Sequence, residues 1–481
     1  MSVSEKLPNS KGWYRGRALP FSYLLILGAL ALHLALQRAE WVPDDSDIAL
    51  RYAQNLWGGE GFCFTPGDSV CGSTSVLNPL LIAGTGFLLA GDLVLGRALL
   101  FGLSLFGLVL LVHRAFRPLG TVPALLAATN VLAIPLLFRT LGLETILVLL
   151  LATASVQLYL ARRPRLLGLG LGALYLARPD GLVLALLLLG HSLWTRRREE
   201  GYKKSLAWTL GLALILVLPW LLYAWTHFGT PIPGTLRAKL AQRASGAWGG
   251  SFFSGLKKSL AAFDLHELLP PKAFRWVAIP SLLFGLGSRS PLRLLVLWAL
   301  LLSLAYSLLN PPFYHWYGVP LHFAMVLGFS ALVAWLWKGS VPSRSLALAL
   351  NLSFLALAFP NPLGPRPPAT YPEYHEAARW IRQNLPPEAR ILALEIGVLG
   401  ARVGGRPILD PLGLVHPADY EALSRGDFAW WLGVEPLPDF VLLHRPPWKR
   451  LETSALADPR FTEHFSGVWR SSSLQLFKKK K

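Results

Sequence analysis

Three aspartates, Asp44, Asp45 and Asp47, fall within four positions of the segment VPDDSDIALRYAQNLWGGEG, Val42 to Gly61. A carboxylate beside an apolar cavity can act as a general base toward a hydroxyl, or it can bind a cation. A second acid next to it can orient it or raise its pKa. The ordinary role for such acids is structural. Asp45 or Ser46 suits the N-cap of a helix, acids favour the positive end of a helix dipole, and Asp47 can pair with Arg51 one turn on. Other polar residues stand at the ends of apolar runs: Glu144 in LGLET, Arg178 and Asp180 in ARPDG, Arg237 and Lys239 in PGTLRAK, and His315 in YHWYGVP. Polar groups close to a bilayer commonly mark a site or face a cavity.

The elements that must position these residues follow from periodicity. A helix numbered from Ser46 places Ile48, Tyr52 and Leu56 on an apolar face, and Asp47, Arg51 and Asn55 on a polar one. It is expected to lie flat on the outer leaflet and to stop at Gly58, Gly59 and Gly61. Cys63 and Cys71 share the next short loop with Pro66 and Gly67. Outside the cytoplasm they either form a local disulfide or remain two free thiols.

Of the 481 residues, 53% are hydrophobic and 15% are charged, against about a quarter charged in a soluble domain. Apolar runs recur along most of the chain, which predicts a polytopic α-helical membrane protein. The net charge of +19 does not point to nucleic acid, because the basic residues cluster in short loops between apolar runs. Such loops lie in the cytoplasm by the positive-inside rule. With Lys6, Lys11, Arg15 and Arg17 inside, the stretch Phe21 to Leu36 is a retained first span, since it lacks a small-residue cleavage site. Leu77 to Ala90 reads as an interfacial or re-entrant helix and Leu95 to Val112 as the second span. Further crossings fall near 121–138, 145–161, 166–177, 182–195, 205–226, 274–288, 291–309, 318–337 and 344–359. The expected total is about 11 spans, with the C-terminus outside the cytoplasmic membrane. All the polar clusters above then share the outer face.

The membrane module covers 1–360, with outer loops at 40–76 and 227–273. A proline-rich linker at 361–370 leads to a small extracytoplasmic α/β domain at 371–481. Its signals are helical spacing of Ala377, Trp380 and Ile381 and two buried-strand patterns, ARILALEIG and DFVLLH. Lys478 to Lys481 read as a solvated tail.

The stretch DDSDIALRYAQNL, followed by GEGFCFTPGDSVCGSTSVLNPLL, resembles the first outer loop of bacterial GT-C glycosyltransferases, most closely the mycobacterial arabinofuranosyltransferase-like proteins. GLET (Gly142 to Thr145), RPDG (Arg178 to Gly181), TLRAK (Thr235 to Lys239), HWYGVPL (His315 to Leu321) and LEIGVLGARVGGRPILDPLGLVHP continue the likeness in order. The sequence departs from the pattern at Asp68, Cys71, Gly234 and Leu236, which bears on the acceptor more than on the reaction class.

The resemblance implies an inverting, arabinosyl- or mannosyltransferase-like enzyme of the cell envelope. It would take its sugar from a polyprenyl-phosphate donor and pass it to a glycan, lipid or protein acceptor at the outer face. It implies Asp44 as general base, with Asp45 orienting it or binding sugar hydroxyls. Lys239, with Arg237 nearby, would meet the donor phosphate. Glu144 and Asp180 would hold sugar hydroxyls, His315 would touch phosphate or sugar, and Asp47, Arg51 and Arg178 complete the substrate-binding set. For Asp180 a turn with an Arg178 pair is the simpler reading. Nothing demands a metal; an acid pair could hold Mg²⁺ or Mn²⁺ through oxygens, but the ligand set is incomplete. The rival classes are a lipid-linked-sugar flippase or transporter, which should show paired broken helices or repeat symmetry, and a membrane-anchored binding protein.

Overall fold

The computed structural model describes residues 18–40, 42–68, 70–261, 274–287, 292–358 and 370–481. The N-terminal Lys6, Lys11, Arg15 and Arg17, residues 262–273 of the second outer loop, and 361–369 of the expected linker lie outside the described residues.

The chain opens with α1 (Ala18–Gln37), the acid-bearing α2 (Asp44–Gly58) and α3 (Leu77–Gly86). At 10 residues α3 is too short to cross a bilayer. There follow α4 (Leu93–Phe116), α5 (Thr121–Leu132), α6 (Pro135–Phe138), α7 (Thr145–Leu160), α8 (Pro164–Ala177) and α9 (Leu182–Arg196). Next come α10 (Tyr202–Phe228), α11 (Gly234–Ala244), α12 (Phe252–Ala261), α13 (Phe274–Gly287), α14 (Arg293–Leu309), α15 (Val319–Trp337) and α16 (Val341–Ala358). Four helical stretches among the described residues are long and apolar enough to cross a membrane: Pro20–Gln37, Leu93–Leu119, Tyr202–Phe228 and His315–Trp337. Shorter apolar helices pack with them, as in an integral membrane protein.

The stretch 121–138, expected as one crossing, is two helices. Ile134 takes φ −82° and ψ 100°, because a residue that precedes a proline is disfavoured from the helical conformation. Elsewhere close packing depends on small residues. A Cβ on Gly168 would lie 2.5 Å from the Thr209 carbonyl oxygen, and one on Gly172 would lie 3.0 Å from that of Ala213. Two glycines one turn apart thus let α8 meet the α10 backbone directly. Asn130 ties α5 to α15 and α16 by donating to Ser330 Oγ (3.1 Å) and Asn351 Oδ1 (2.9 Å).

The C-terminal region is an α/β domain: α17 (Thr370–Asn384), β1 (Ile391–Leu392), α18 (Ile396–Gly400), β2 (Ile408–Leu409), α19 (Tyr420–Ser424), β3 (Phe440–His444), β4 (Phe465–Arg470) and β5 (Leu474–Lys479). The sheet order is β2-β1-β3-β5-β4. The first three strands run parallel, and β5 runs antiparallel to both β3 and β4. The expected lysine tail therefore begins as strand: Lys478 stands opposite Phe440 on one side and Ser466 on the other.

This domain is docked on α2. One apolar core contains Ile48 and Tyr52 of α2, Phe62 and Phe64 just after it, and Ile381, Ile396, Val398 and Ile408 of the domain. A Cβ on Gly397 would meet the Asp44 carbonyl oxygen at 1.9 Å, so only glycine permits this approach. The polar face of α2 is not open to water. Asp47, Arg51 and Asn55 are 0, 3 and 6% exposed. Arg51 does not pair with Asp47; it donates to the carbonyls of Phe64 and Gly405, both at 3.0 Å. Asn55 donates to the carbonyls of Cys63 and Phe64, both at 2.9 Å. The polar face is the docking face, because each buried donor there finds an acceptor.

The disulfide alternative is also corrected. Cys63 and Cys71 are free and buried. Their thiols point to different carbonyls, Glu60 at 3.4 Å and Ser73 at 3.5 Å.

Candidate active site

Successive positions on a helix turn by about 100°, so Asp44 and Asp47, three apart, lie on neighbouring faces while Asp45 points away from both. Asp47 points inward. Its carboxylate binds Arg97 at 2.5 Å and Arg402 at 2.6 Å, so it joins the membrane module to the C-terminal domain. Burial opposes its charge, but the two guanidiniums outweigh burial and hold its pKa below the ordinary value. Removing it strands both arginines. Asp47→Ala is expected to cost roughly 3–5 kcal/mol of stability, read as a lowered Tm of the full chain in detergent. An unchanged Tm would mean that these pairs do not hold the domain.

Asp44 points at the C-terminal domain. Its carboxylate accepts from the backbone N–H of Gly397 (3.1 Å) and Val398 (2.7 Å) at the start of α18. The expected helix cap is therefore corrected. Pro43 occupies the N-cap of α2 with no side-chain cap bond, and neither Asp45 nor Ser46 caps that helix. Gly59, with φ 85°, ends it as expected.

Asp45 points the third way. Among the described residues its carboxylate takes a hydrogen bond only from its own backbone N–H. It lies within electrostatic reach of Lys239 and His315; burial raises its pKa, and these two groups partly offset the rise.

Lys239, on α11, closes the other side. Its ammonium donates to Tyr317 Oη at 3.3 Å and sits 5.2, 5.6 and 5.5 Å from the ring centres of Tyr314, Trp316 and Tyr317. Burial opposes its charge, but the Tyr317 oxygen and Asp45 outweigh burial and raise its pKa, so the ammonium stays charged. His315 is anchored through Nε2 to the Arg139 carbonyl at 3.2 Å.

Beneath Lys239 opens a cavity of about 340 Å³ whose lining includes Lys239, Glu144, Arg178, Asp180, Tyr306 and Tyr317, with apolar walls from Val183, Leu302, Ala305 and Leu309. Arg178 binds Asp180 at 2.9 Å, Glu144 at 3.6 Å and Tyr306 Oη at 2.9 Å. Tyr306 donates in turn to Asp180 at 2.6 Å.

The fold thus gathers Asp45, Glu144, Arg178, Asp180, Lys239 and His315 in one place. Asp47 and Arg51 serve the domain contact. Arg237 is exposed and stacks 4.5 Å over the Tyr420 ring, away from the cavity. Sequence reasoning missed Tyr306 and Tyr317. A lone tyrosine inside the apolar LLSLAYSLLN was a signal for the first, since a buried hydroxyl needs a partner. Among the described residues no three His, Cys, Asp or Glu side chains are grouped to hold an ion. A carboxylate with free oxygens, within electrostatic reach of an ammonium that lines an apolar cavity, can take a proton from a hydroxyl while the ammonium stabilises an anion.

No curated protein matches the chain in sequence. Residues 369–475 match a domain of unknown function, DUF8728. Among solved structures, the Archaeoglobus fulgidus oligosaccharyltransferase, tethered to an acceptor peptide containing an NVT sequon, superposes with a TM-score of 0.60 at 13% identity, over 98% of this chain and 75% of that one. ArnT from Cupriavidus metallidurans, bound to undecaprenyl phosphate, superposes with a TM-score of 0.51 at 14% identity, over 98% of both chains. The arabinofuranosyltransferase AftD from Mycobacteria gives 0.50 at 14% identity, over 95% of this chain but only 41% of that one. An oligosaccharyltransferase, ArnT and AftD share one fold with this chain along nearly its whole length.

Proposed function

We propose that the protein is an inverting glycosyltransferase. It moves a sugar from a polyprenyl-phosphate donor to an acceptor hydroxyl at the outer face of the cytoplasmic membrane, with its N-terminus inside and its C-terminal domain outside. The observation that carries this reading is Asp45. It is the one acid of the trio with oxygens left over by the fold, and it interacts electrostatically with Lys239, which lines the cavity.

In this reading Asp45, rather than Asp44, takes the proton from the acceptor hydroxyl. The acceptor oxygen bonds to the anomeric carbon as the bond from that carbon to the phosphate oxygen breaks. The polyprenyl phosphate leaves with the bonding pair, and Lys239 stabilises the charge that grows on it. Glu144, Asp180 and Tyr306 hold Arg178 beside the same cavity, where its guanidinium is a second cation for the phosphate. Tyr314, Trp316 and Tyr317 offer faces for the sugar ring, and His315 fixes the approach to Asp45. The undecaprenyl phosphate bound to ArnT supports a lipid-phosphate donor.

The test is sugar transfer by purified protein from a panel of radiolabelled polyprenyl-phosphate sugars to a crude envelope acceptor. Transfer from one donor is the expected result. Saturable donor-lipid binding without transfer from any of them would overturn it in favour of a lipid-linked-sugar flippase or a membrane-anchored binding protein.

A further inference from the structure

A second cavity, of about 590 Å³, lies among α8, α9 and α10. Its walls include Leu167 and Leu171 of α8, Leu186 and Leu189 of α9, and Leu210 and Leu214 of α10. Gly168 and Gly172 bring α8 against the α10 backbone, and the space opens where α9 faces that pair. Leu182, Leu186, Leu210 and Leu214 are 50 to 58% exposed. In a membrane-spanning module that exposure is to lipid chains, so the crevice opens sideways into the bilayer.

Its two ends differ. Near the C-terminus of α8, Tyr175 lines both this crevice and the cavity beneath Lys239. Near the N-terminus of α8 the lining turns basic and polar, with Arg162, Arg163 and Arg196 beside Tyr159, Ser192 and Tyr202. The two turns that close this end, 161–165 and 196–204, hold eight basic residues against two acids, Glu199 and Glu200. Glu199 neutralises Arg162, through bonds of 2.9 and 3.0 Å. Arg196 is held without an acid. It lies 4.2 Å over the Tyr159 ring and donates to the Tyr159 carbonyl at 3.1 Å. The Tyr159 hydroxyl is fixed in turn by His191 Nδ1 at 2.6 Å. That single bond occupies one of the five guanidinium N–H donors, so Arg196 can still grip a phosphate. Arg163, at the N-cap of α8, is a second cation at the same mouth. α8 has 14 residues, which puts this mouth about 20 Å from the Arg178 end, in the leaflet opposite to the candidate active site.

We propose that this crevice is a binding site for an anionic glycerophospholipid of that opposite leaflet, its phosphate held by Arg163 and Arg196 and an acyl chain laid along the leucines of α9 and α10. The site does not depend on the transfer reaction. A polyprenyl chain reaching in from the neighbouring cavity is hydrocarbon throughout and gives the guanidiniums no anion. A free phosphate gains nothing from the apolar walls. A zwitterionic lipid offers a phosphate, but its ammonium meets the surplus positive charge of the two turns. An anionic lipid satisfies the cations and the leucines together, as basic pockets between membrane helices do for acidic headgroups. α8 and α9 are also the arms of the hairpin whose turn carries Arg178 and Asp180. A lipid that fills the gap at one end of the hairpin steadies that turn at the other.

The experiment is native mass spectrometry of the purified full-length protein in detergent, titrated with phosphatidylglycerol or with phosphatidylcholine of the same chains. Phosphatidylglycerol is expected to bind about tenfold more tightly, the scale of its charge-assisted phosphate contacts and of the charge it matches. Arg163→Gln with Arg196→Gln should remove that preference. Arg197→Gln with Arg198→Gln removes the same charge nearby but outside the crevice lining, and should keep it. Equal binding of the two lipids by the wild type overturns the proposal. Equal loss in the two double variants also overturns it, because net charge would then account for the effect. Undecaprenyl phosphate is the competitor: if it displaces phosphatidylglycerol one for one, the crevice belongs to a polyprenyl chain and the proposal fails, whereas retention of phosphatidylglycerol supports it. Should the Arg163 and Arg196 variant not fold, phosphatidylglycerol with a photoreactive acyl chain decides in the wild type. Cross-links within 182–192 and 202–214 support the site, and cross-links elsewhere overturn it.

Discussion

Replacing Asp45 with asparagine is expected to lower sugar transfer by about 100- to 10,000-fold, the usual weight of a positioned general base. The amide keeps the size of the side chain but cannot take the acceptor proton. Because Asp45 receives no hydrogen bond from another described residue, the change should leave Tm close to that of the wild type. Loss of transfer with an intact fold is then assignable to chemistry. Asp44→Asn is the comparison that gives the result meaning. Both Asp44 oxygens accept backbone N–H groups of α18, and an amide can satisfy only one of them. That variant should cost about 1–3 kcal/mol in stability, seen as easier proteolysis between the two domains, and far less in turnover than Asp45→Asn. The reverse pattern, with turnover surviving in Asp45→Asn and vanishing in a folded Asp44→Asn, would return the base to Asp44.

Lys239→Met should have the second largest effect, a fall in kcat of about 100- to 1,000-fold, the scale of removing one fixed group that stabilises a developing anion. The argument is positional. The ammonium is held by Tyr317 Oη at 3.3 Å and faces three aromatic rings, so it is not free to snorkel to the surface as an ordinary interfacial lysine would. Methionine fills the same volume without the charge, so the aromatic cluster should keep its packing. If Lys239 acts on the leaving phosphate, the loss appears in kcat as well as in donor KM. A change in KM alone would make it a ground-state contact, and no change at all would remove it from the mechanism. Arg237→Met is the built-in contrast. That side chain stacks over Tyr420 rather than facing the cavity, and its loss should register as a small change in stability.

The same sequence stretch shows how far periodicity reaches. A polar stripe of Asp47, Arg51 and Asn55 on α2 was legible, and its spacing was right. Its destination was not, because amphipathicity says that one face differs from the other without saying what covers it. Water and the carbonyls of Phe64 and Gly405 are equivalent partners in a hydrophobicity pattern. Only the folded chain shows that the second set is used. The break at Ile134 was within reach of the sequence, since Pro135 stood inside the expected span. The pairing of Arg97 with Asp47, fifty positions away, was not, because nothing local marks an arginine in an apolar run as the partner of one acid among three.

By itself the sequence determined the class of molecule. Low charge content and recurring apolar runs demand a membrane environment, because so much apolar surface cannot be covered by one soluble fold. Strand patterns after residue 371 demand a separate α/β unit, and motifs in order along the chain pointed to the GT-C architecture. Only the tertiary structure decided which acid stays available. Asp44, Asp45 and Asp47 are the same residue type within one turn of the same helix, so composition and spacing treat them alike. The helix aims them in three directions: at the N–H groups of α18, at Lys239 and His315, and at Arg97 and Arg402. A carboxylate already engaged by backbone donors or by two guanidiniums has little left to offer a substrate. The physical reason lies in partners drawn from up to 355 positions away, which meet α2 only when the C-terminal domain docks.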